Sequence, residues 1–144
     1  MKNKNTAPVK MLILQGPPAV GKSFYAREFI KDKSDSWVIV NRDSIRRMFG
    51  NYWVPKRENL VTDVECEAIY AAFEYGYNVV VDDTNLNPIT IAHLQAIADI
   101  SGAEVEYKKF YEPLDVLLER DKNRECPVGE DVIRNFYKKY YENV

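Results

Sequence analysis

Residues 16–23 carry the clearest chemical signal in this sequence. They read Gly, four residues, then Gly-Lys-Ser, which is the spacing of a phosphate-binding loop. An apolar run at 11–14 precedes the loop, and a predicted helix follows it. A loop in front of a helix N-terminus directs backbone N–H groups and the positive end of the helix dipole at an anion. The sequence therefore predicts a nucleotide phosphate site, with Lys22 on the outer phosphates and the Ser23 hydroxyl on Mg²⁺.

Two further polar clusters follow apolar runs that we predict to be strands. Asn-Arg-Asp occupies 41–43, directly after the run 37–40. Asp-Asp-Thr-Asn occupies 82–85, at the end of the run 78–82. In open parallel sheets, ligands bind at the carboxyl ends of the strands. We therefore expect both clusters to lie at the same edge as the phosphate loop.

The carboxylates in these clusters suit phosphoryl transfer, although each has a structural alternative. Asp43 could take the proton of an incoming hydroxyl beside a γ-phosphate, or could only cap a helix that starts at Asp43 or Ser44. Arg46 would share the helical face of Asp43. Asp82 and Asp83 could serve as a magnesium-associated acid, or could only end the strand.

A pair of arginines lies near the end of the sequence. Arg120 and Arg124 are four residues apart on a helix that we predict to run from Pro113 to about Arg124, and Pro127 follows. Residues at this spacing share a helical face. Because arginine binds phosphate oxygens in pairs, the two could form a cationic lid over a transferring phosphate; the alternative is a pair of surface charges.

The stretch 42–57 is basic and aromatic. It holds one acid, Asp43, and the following basic and aromatic residues: Arg42, Arg46, Arg47, Lys56, Arg57, Phe49, Tyr52 and Trp53. Cationic groups for the backbone and flat rings for the bases are what a groove for single-stranded nucleic acid uses. The alternative is a solvated helix and loop whose aromatic residues cover the core.

Composition narrows the class of protein. The 144 residues, 46% of them apolar, suffice for one core, so we expect one domain over 1–144. A net charge of −2 argues against non-specific duplex binding, and no apolar run approaches the roughly 20 residues of a membrane span. Cys66 and Cys126 are far apart, which favours reduced thiols and a cytoplasmic location. His93, the only histidine, is expected at the surface.

Strand and helix patterns alternate along the sequence. Strands are predicted at 11–15, 37–40, 78–82 and 104–110. Helices are predicted at 22–32, from 43 or 44, at 60–75, from Asn87-Pro88, at 113–124 and at the C-terminus. The inner face of the 60–75 helix should carry Leu60, Val64, Ala68, Ala71 or Ala72, and Tyr75. That of the last helix should carry Val132, Ile133, Phe136, Tyr137 and Tyr140. This alternation predicts an α/β fold with a parallel sheet of about four strands and helices on both faces.

Taken together, the motifs resemble the kinase domain of the phage polynucleotide kinase/phosphatase family. The matching segments are the loop at 16–23, Tyr-Ala-Arg-Glu-Phe-Ile at 25–30, Asn-Arg-Asp at 41–43, Asp-Thr-Asn-Leu-Asn-Pro at 83–88, Arg-Asp-Lys-Asn-Arg at 120–124 and Asp-Val-Ile-Arg at 131–134. They span nearly the whole chain. The resemblance implies a P-loop kinase fold with a C-terminal lid and helix.

The resemblance also implies roles for particular residues. ATP would be bound by Gly16, Pro17, Pro18, Ala19, Val20, Gly21, Lys22, Ser23, Phe24, Arg120 and Arg124. Mg²⁺ would be held by Ser23 and Asp83. A nucleic acid acceptor, DNA or RNA, would be bound by Arg42, Arg46, Asp83, Thr84 and Asn85. Asp43 would be the general base for its 5′-hydroxyl, with Lys22 and Arg124 acting on the donor phosphates.

Other functions remain open on the sequence. Full-length members of the family carry a phosphatase domain, and no Asp-x-Asp nucleophile pattern occurs in this sequence. We therefore expect no 3′-phosphatase activity, and a separate phosphatase or ligase as partner. The alternatives to a polynucleotide kinase are a kinase of a small metabolite or nucleoside, and a nucleotide-binding regulatory module without transfer activity.

Overall fold

Strands and helices alternate through the computed structural model, which describes residues 7–142. The strands are β1 (Lys10–Gln15), β2 (Trp37–Val40), β3 (Asn78–Asp82) and β4 (Glu104–Lys109). The helices are α1 (Lys22–Ile30), α2 (Arg42–Met48), α3 (Glu58–Glu74), α4 (Pro88–Ser101), α5 (Leu114–Lys122) and α6 (Glu130–Tyr140), with a 3₁₀ turn at Pro55–Arg57. The strands pair in parallel in the order β2-β3-β1-β4. The predicted α/β fold is confirmed.

Apolar runs form the two central strands because both faces of the sheet are covered. On one face, Ile13 of β1 belongs to a buried cluster with Ile69 of α3 and Leu94 of α4. On the other face, Leu14 shares a cluster with Ala26 of α1. The helices of the two faces thus fix the carboxyl edge of the sheet, where the polar clusters emerge.

Two contacts join the ends of β1 and β3 at that edge. The Asn85 amide nitrogen donates to the backbone oxygens of Leu14 at 2.7 Å and Val81 at 3.1 Å. The Gly16 N–H donates to the Thr84 oxygen at 3.0 Å. Asn85 has a φ of +50°, a left-handed conformation that asparagine tolerates better than most residues. The phosphate loop is thereby held against the loop that follows β3.

The cap of α2 corrects one sequence prediction. The N-cap is Asn41, whose side-chain oxygen accepts from the Ser44 N–H at 2.9 Å, and the helix begins at Arg42. The interpretation of Asp43 as the N-cap is therefore wrong, because Asn41 fills that position. The predicted cap of α4 by Asn87, with Pro88 in the first turn, is confirmed.

Two helix faces differ from the prediction. The buried residues of α3 are Val61, Glu65, Ile69 and Phe73, whereas Leu60 and Tyr75 are about half exposed. The predicted face was displaced by one residue because a buried glutamate interrupts the apolar pattern. On α6, Ile133 is buried against Val20 and Leu117, whereas Val132 is 51% exposed because this helix packs mainly on α5.

Gly16 should be intolerant of a side chain. A Cβ at this position would lie 2.9 Å from Val20 Cγ1 and 3.2 Å from Phe110 Cβ. Such overpacking typically costs about 1–3 kcal/mol, so Gly16→Ala should lower the free energy of unfolding measured in urea. In a Val20→Ala background the same change should cost less, because the closer contact is gone. Equal costs in both backgrounds would contradict this account of Gly16.

Candidate active site

A cavity of about 670 Å³ opens at the carboxyl edge of the sheet. The sequence-predicted site residues that line it are Pro18, Ala19, Gly21, Lys22, Ser23, Phe24, Arg42, Asp43, Arg46, Asp83, Thr84, Asn85, Arg120 and Arg124. Gly16, Pro17 and Val20 are buried behind it. The structure thus brings the phosphate loop, both polar clusters and the arginine pair to one place.

The phosphate loop enters α1 through two left-handed residues. Ala19 has a φ of +70° and Gly21 a φ of +109°. Glycine adopts this conformation freely, whereas alanine is strained in it. Gly21 is the N-cap of α1 and has no side chain to accept from the first N–H groups of the helix, and the residues Gly21, Lys22, Ser23 and Phe24 line the cavity. This is the arrangement that binds phosphate oxygens.

Lys22 is buried under the loop. Its ammonium donates to the backbone oxygens of Gly16 at 2.9 Å and Pro17 at 2.8 Å. Burial lowers the pKa of Lys22 to about 8, although the nearby carboxylates of Asp82 and Asp83 oppose this shift. A buried cation whose hydrogen bonds go to carbonyl oxygens would gain further from an anionic phosphate.

Ser23 and Asp82 lie together at a candidate metal-binding site. The Ser23 hydroxyl donates to Asp82 Oδ2 at 2.8 Å, and the Asn41 amide donates to the same oxygen at 3.0 Å. Asp82 Oδ1 is buried and has no hydrogen-bond partner among residues 7–142. A hydroxyl and a carboxylate with an unused oxygen are ligands suited to Mg²⁺. The residues present therefore fit this ion.

Asp83 lines the same cavity but makes different contacts from Asp82, and its expected metal role stays a prediction. Its Oδ1 accepts from the Arg42 N–H at 2.8 Å. Burial, followed by the neighbouring Glu65 carboxylate, raises the pKa of Asp83 well above its usual range. Asp82 is the last residue of β3 and meets Ser23, whereas Asp83 follows the strand and meets the start of α2. Asp83 Oδ2, like Asp82 Oδ1, is buried without a hydrogen-bond partner among residues 7–142.

Arg42 and Asn85, which we expect to bind the acceptor, also make hydrogen bonds to protein atoms. The Arg42 guanidinium binds α3, through the Thr62 hydroxyl at 3.0 Å, the Glu58 backbone oxygen at 3.4 Å and Glu65 Oε1 at 3.5 Å. The Asn85 amide nitrogen binds the sheet backbone. Both side chains line the cavity, and their role as acceptor ligands stays a prediction.

Asp43 belongs to a tight polar cluster with Arg46. Its Oδ1 accepts from Arg46 Nη1 at 2.6 Å and from the Tyr52 hydroxyl at 2.7 Å. The Glu58 carboxylate binds Arg46 through two parallel contacts, at 2.6 Å from Nη2 and 3.0 Å from Nε. Sequence reasoning predicted the Asp43 and Arg46 pairing but missed Glu58, whose only signal was its place at the start of α3.

The surroundings of this cluster fix its protonation states. Hydrogen bonds from Arg46 hold the pKa of Glu58 below its usual range, and the same pair raises the pKa of Arg46. Burial and the Asp43 carboxylate raise the pKa of Tyr52 to about 12. Tyr52 therefore remains a donor at neutral pH, and Arg46 remains a cation in a fixed orientation.

Arg120 lies in α5 and Arg124 follows the end of that helix, and the two arginines make different contacts. Arg120 Nη1 donates to the Val20 backbone oxygen at 3.3 Å, and its Nη2 lies 3.6 Å from Glu112. Arg124 Nη1 lies 3.6 Å from Asp121 and is buried, with no hydrogen bond to any residue in 7–142. Both side chains line the cavity, and Arg124 keeps a donor available for an anion.

Asp121 is a residue that the sequence reasoning did not single out. It is buried, and its two carboxylate oxygens accept from the backbone N–H groups of Val128 and Gly129 at 3.0 Å. These bonds fold the segment after α5 back over the helix end. Asp121 therefore sets the path of residues 125–129.

A parallel sheet with a phosphate loop, a Ser23–Asp82 pair and an arginine-bearing C-terminal lid defines a P-loop kinase domain. The chain belongs to the AAA_33 family, described as "AAA domain", whose model matches residues 11–142. A bifunctional polynucleotide kinase/RNA ligase of Autographa californica nuclear polyhedrosis virus is 28% identical over 148 residues, covering 91% of this chain and 21% of that protein.

Two further relatives extend the comparison. The L-seryl-tRNA(Sec) kinase of Methanococcus maripaludis is 33% identical over 135 residues, covering 90% of this chain and 52% of that protein. A chain in the structure of the Pnkp1/Rnl/Hen1 RNA repair complex superposes with a TM-score of 0.78 at 28% identity, covering 97% of this chain and 48% of that one. This chain spans about half or less of these relatives. The resemblance to polynucleotide kinase domains is confirmed.

Three simpler expectations can be compared with the structure. His93 is exposed on α4, as predicted, and Cys66 and Cys126 are free thiols. Among residues 7–142, no helix combines the length and the apolar character needed to cross a lipid bilayer.

The buried ammonium of Lys22 should make stability depend on pH. Folded Lys22 loses its proton near pH 8, whereas an unfolded lysine does so near 10.5. Between these values the unfolded chain holds more protons, so raising the pH stabilises the folded state. The unfolding free energy of wild type should therefore rise relative to Lys22→Met from pH 8 to 10, by up to about 3 kcal/mol. Parallel pH profiles for the two proteins, measured by urea denaturation, would contradict the lowered pKa.

Proposed function

We propose that this protein transfers the γ-phosphoryl group of ATP to the 5′-hydroxyl end of DNA or RNA. The observation that carries the proposal is the Asp43–Arg46 contact of 2.6 Å in the same cavity as the phosphate loop. A carboxylate beside the transferred phosphate can accept the hydroxyl proton, and the neighbouring guanidinium can hold an acceptor phosphate.

Donor binding falls to the phosphate loop and α1. The free N–H groups at the start of α1 would contact the phosphates, and Lys22 would exchange its carbonyl contacts for the β- and γ-oxygens. Ser23 and Asp82 would hold Mg²⁺, which when bound neutralises charge on those oxygens. Arg124, with its unused buried donor, would contact the donor phosphates from the lid, and Arg120 would support the loop.

Acceptor binding falls to α2 and the loop after β3. Both donors to Asp43 contact Oδ1, so Oδ2 is the oxygen that would receive the proton. Arg46 has five N–H groups, three of which bind Glu58 and Asp43. The remaining two could bind the phosphate that follows the terminal nucleoside, with help from Thr84, which also lines the cavity.

A second candidate is a kinase of a serine hydroxyl carried on tRNA. It is favoured by the 33% identity to the L-seryl-tRNA(Sec) kinase. Asp43 could deprotonate either hydroxyl, so the catalytic geometry is common to both reactions. The two proposals differ in what the acceptor side of the cavity recognises: a nucleotide with its 3′-side phosphate, or an aminoacyl ester.

Transfer of labelled γ-phosphate to a panel of acceptors separates these functions. The panel holds 5′-hydroxyl DNA and RNA oligonucleotides, seryl-tRNA, free nucleosides and free serine. We expect labelling of the oligonucleotides. Labelling of seryl-tRNA alone would establish the second candidate, and labelling of small molecules alone would overturn both. Hydrolysis of ATP without any labelled acceptor would favour a nucleotide-binding regulatory module.

The proposal extends to location and partners. The free thiols Cys66 and Cys126 support our proposal of a cytoplasmic protein. The relatives named for an RNA ligase activity and for an RNA repair complex support the proposal that a separate ligase or phosphatase acts on the same nucleic acid ends.

Asp43→Asn should slow transfer and leave ATP binding intact. An amide keeps the size of the side chain but cannot take the hydroxyl proton, and a general base typically contributes about 10²–10⁴-fold. Single-turnover transfer at saturating ATP and oligonucleotide should fall within that range, while the Kd for ATP stays unchanged. Asp63→Asn, an exposed position on α3, is the matched control. A wild-type rate in Asp43→Asn would remove Asp43 from the chemistry.

A further inference from the structure

We propose that Trp53 is a stacking platform for the second nucleotide of a single-stranded acceptor, just outside the cavity. The inference rests on the proposed function, because it takes the first nucleotide to be the one presented to Asp43. It adds a binding subsite on the segment after α2, and it explains an exposed aromatic ring that the phosphoryl transfer itself does not use.

The position of Trp53 follows from its contact with Arg46. The guanidinium carbon of Arg46 lies 5.6 Å from the centre of the Trp53 ring. Arg46 is itself held by Glu58 and Asp43, so its orientation does not depend on the indole. The Arg46 side chain therefore lies between Trp53 and Asp43, and Trp53 is on the solvent side of Arg46.

The ring is open to solvent despite this contact. Trp53 is 59% exposed, although burying a large aromatic side chain is one of the most favourable contributions to folding. Met48, the last residue of α2, is also exposed, at 65%. An exposed indole beside a cation is the arrangement that nucleic acid-binding surfaces use for unpaired bases, because every base has a π-face.

The charges around Trp53 fit a polyanion. Arg47 is exposed and lies over the Tyr52 ring at 5.5 Å, and Lys56 is exposed two residues before α3. Glu58, the nearest acid on α3, is bound to Arg46 and Arg42. Net positive charge therefore remains along the path that leads outward from the cavity.

The direction of the acceptor strand links these observations. A terminal nucleoside at Asp43 places its 3′-side phosphate at Arg46, and the next base then lies on the Trp53 side of that arginine. Stacking there would be tolerant of base identity and would require an unpaired second nucleotide. The structure thus points to an acceptor site that is two nucleotides long.

An acceptor-length series tests the platform. The acceptors are a nucleoside 3′-phosphate and a single-stranded tetranucleotide, both with 5′-hydroxyls. Trp53→Ala should raise the KM for the tetranucleotide by roughly tenfold, as expected for one lost stack, and leave the KM for the nucleoside 3′-phosphate and for ATP unchanged. Trp53→Phe should restore most of the loss. Tyr75→Ala, an exposed aromatic at the end of α3, is the matched control and should change neither acceptor constant.

Other outcomes overturn the inference. An equal rise in KM for both acceptors would mean that the ring only supports Arg46, and no change for either would mean that it contacts no nucleotide. If wild type transfers phosphate to no 5′-hydroxyl, the proposed function fails, and the platform is judged by fluorescence anisotropy with a 3′-labelled tetranucleotide. Tenfold weaker binding to Trp53→Ala would then uphold the platform alone, and equal or absent binding would reject it.

Discussion

The site depends on how the carboxyl ends of β1 and β3 are joined. The Asn85 amide bonds to both strand ends, and the Gly16 N–H bonds to Thr84. These contacts set the phosphate loop beside the loop after β3, which brings Ser23 within 2.8 Å of Asp82. The start of α2, which carries Asp43 and Arg46, is placed relative to this junction because the Asn41 amide binds Asp82.

Charged groups are buried around this junction, and burying a charge is unfavourable unless the charge is paired. The Lys22 ammonium, the Asp82 carboxylate and a nitrogen of Arg124 are buried, and Asp82 Oδ1 and Arg124 Nη1 lack hydrogen-bond partners within residues 7–142. Unsatisfied buried groups destabilise a folded chain. Phosphates and a divalent cation would satisfy these groups, so the folded state is better matched to a loaded cavity than to an empty one.

The proposed acceptor side is built differently from the proposed donor side. The proposed donor residues come from a loop and helix that adjoin β1, whereas Arg46 is held by Glu58 across the α2–α3 junction and in turn binds Asp43. The relatives named for seryl-tRNA and for polynucleotides match 90% and 91% of this chain. A kinase domain of this design can change its hydroxyl acceptor by altering α2 and the segment up to α3 without disturbing the phosphate loop.

The sequence alone determined the sheet, the phosphate loop and the meeting of the polar clusters at one edge. These follow from local patterns: continuous apolar runs for buried strands, and a fixed spacing for the loop. Only the tertiary structure decided that Asp82 rather than Asp83 meets Ser23, that Asn41 caps α2, and that Glu58 holds Arg46. The Ser23–Asp82 and Arg46–Glu58 contacts join residues that are 59 and 12 positions apart in the chain, and a hydrophobic pattern does not specify which polar side chains meet. The Asn41 cap is a local contact with Ser44, and the sequence offered two neighbouring candidates for it.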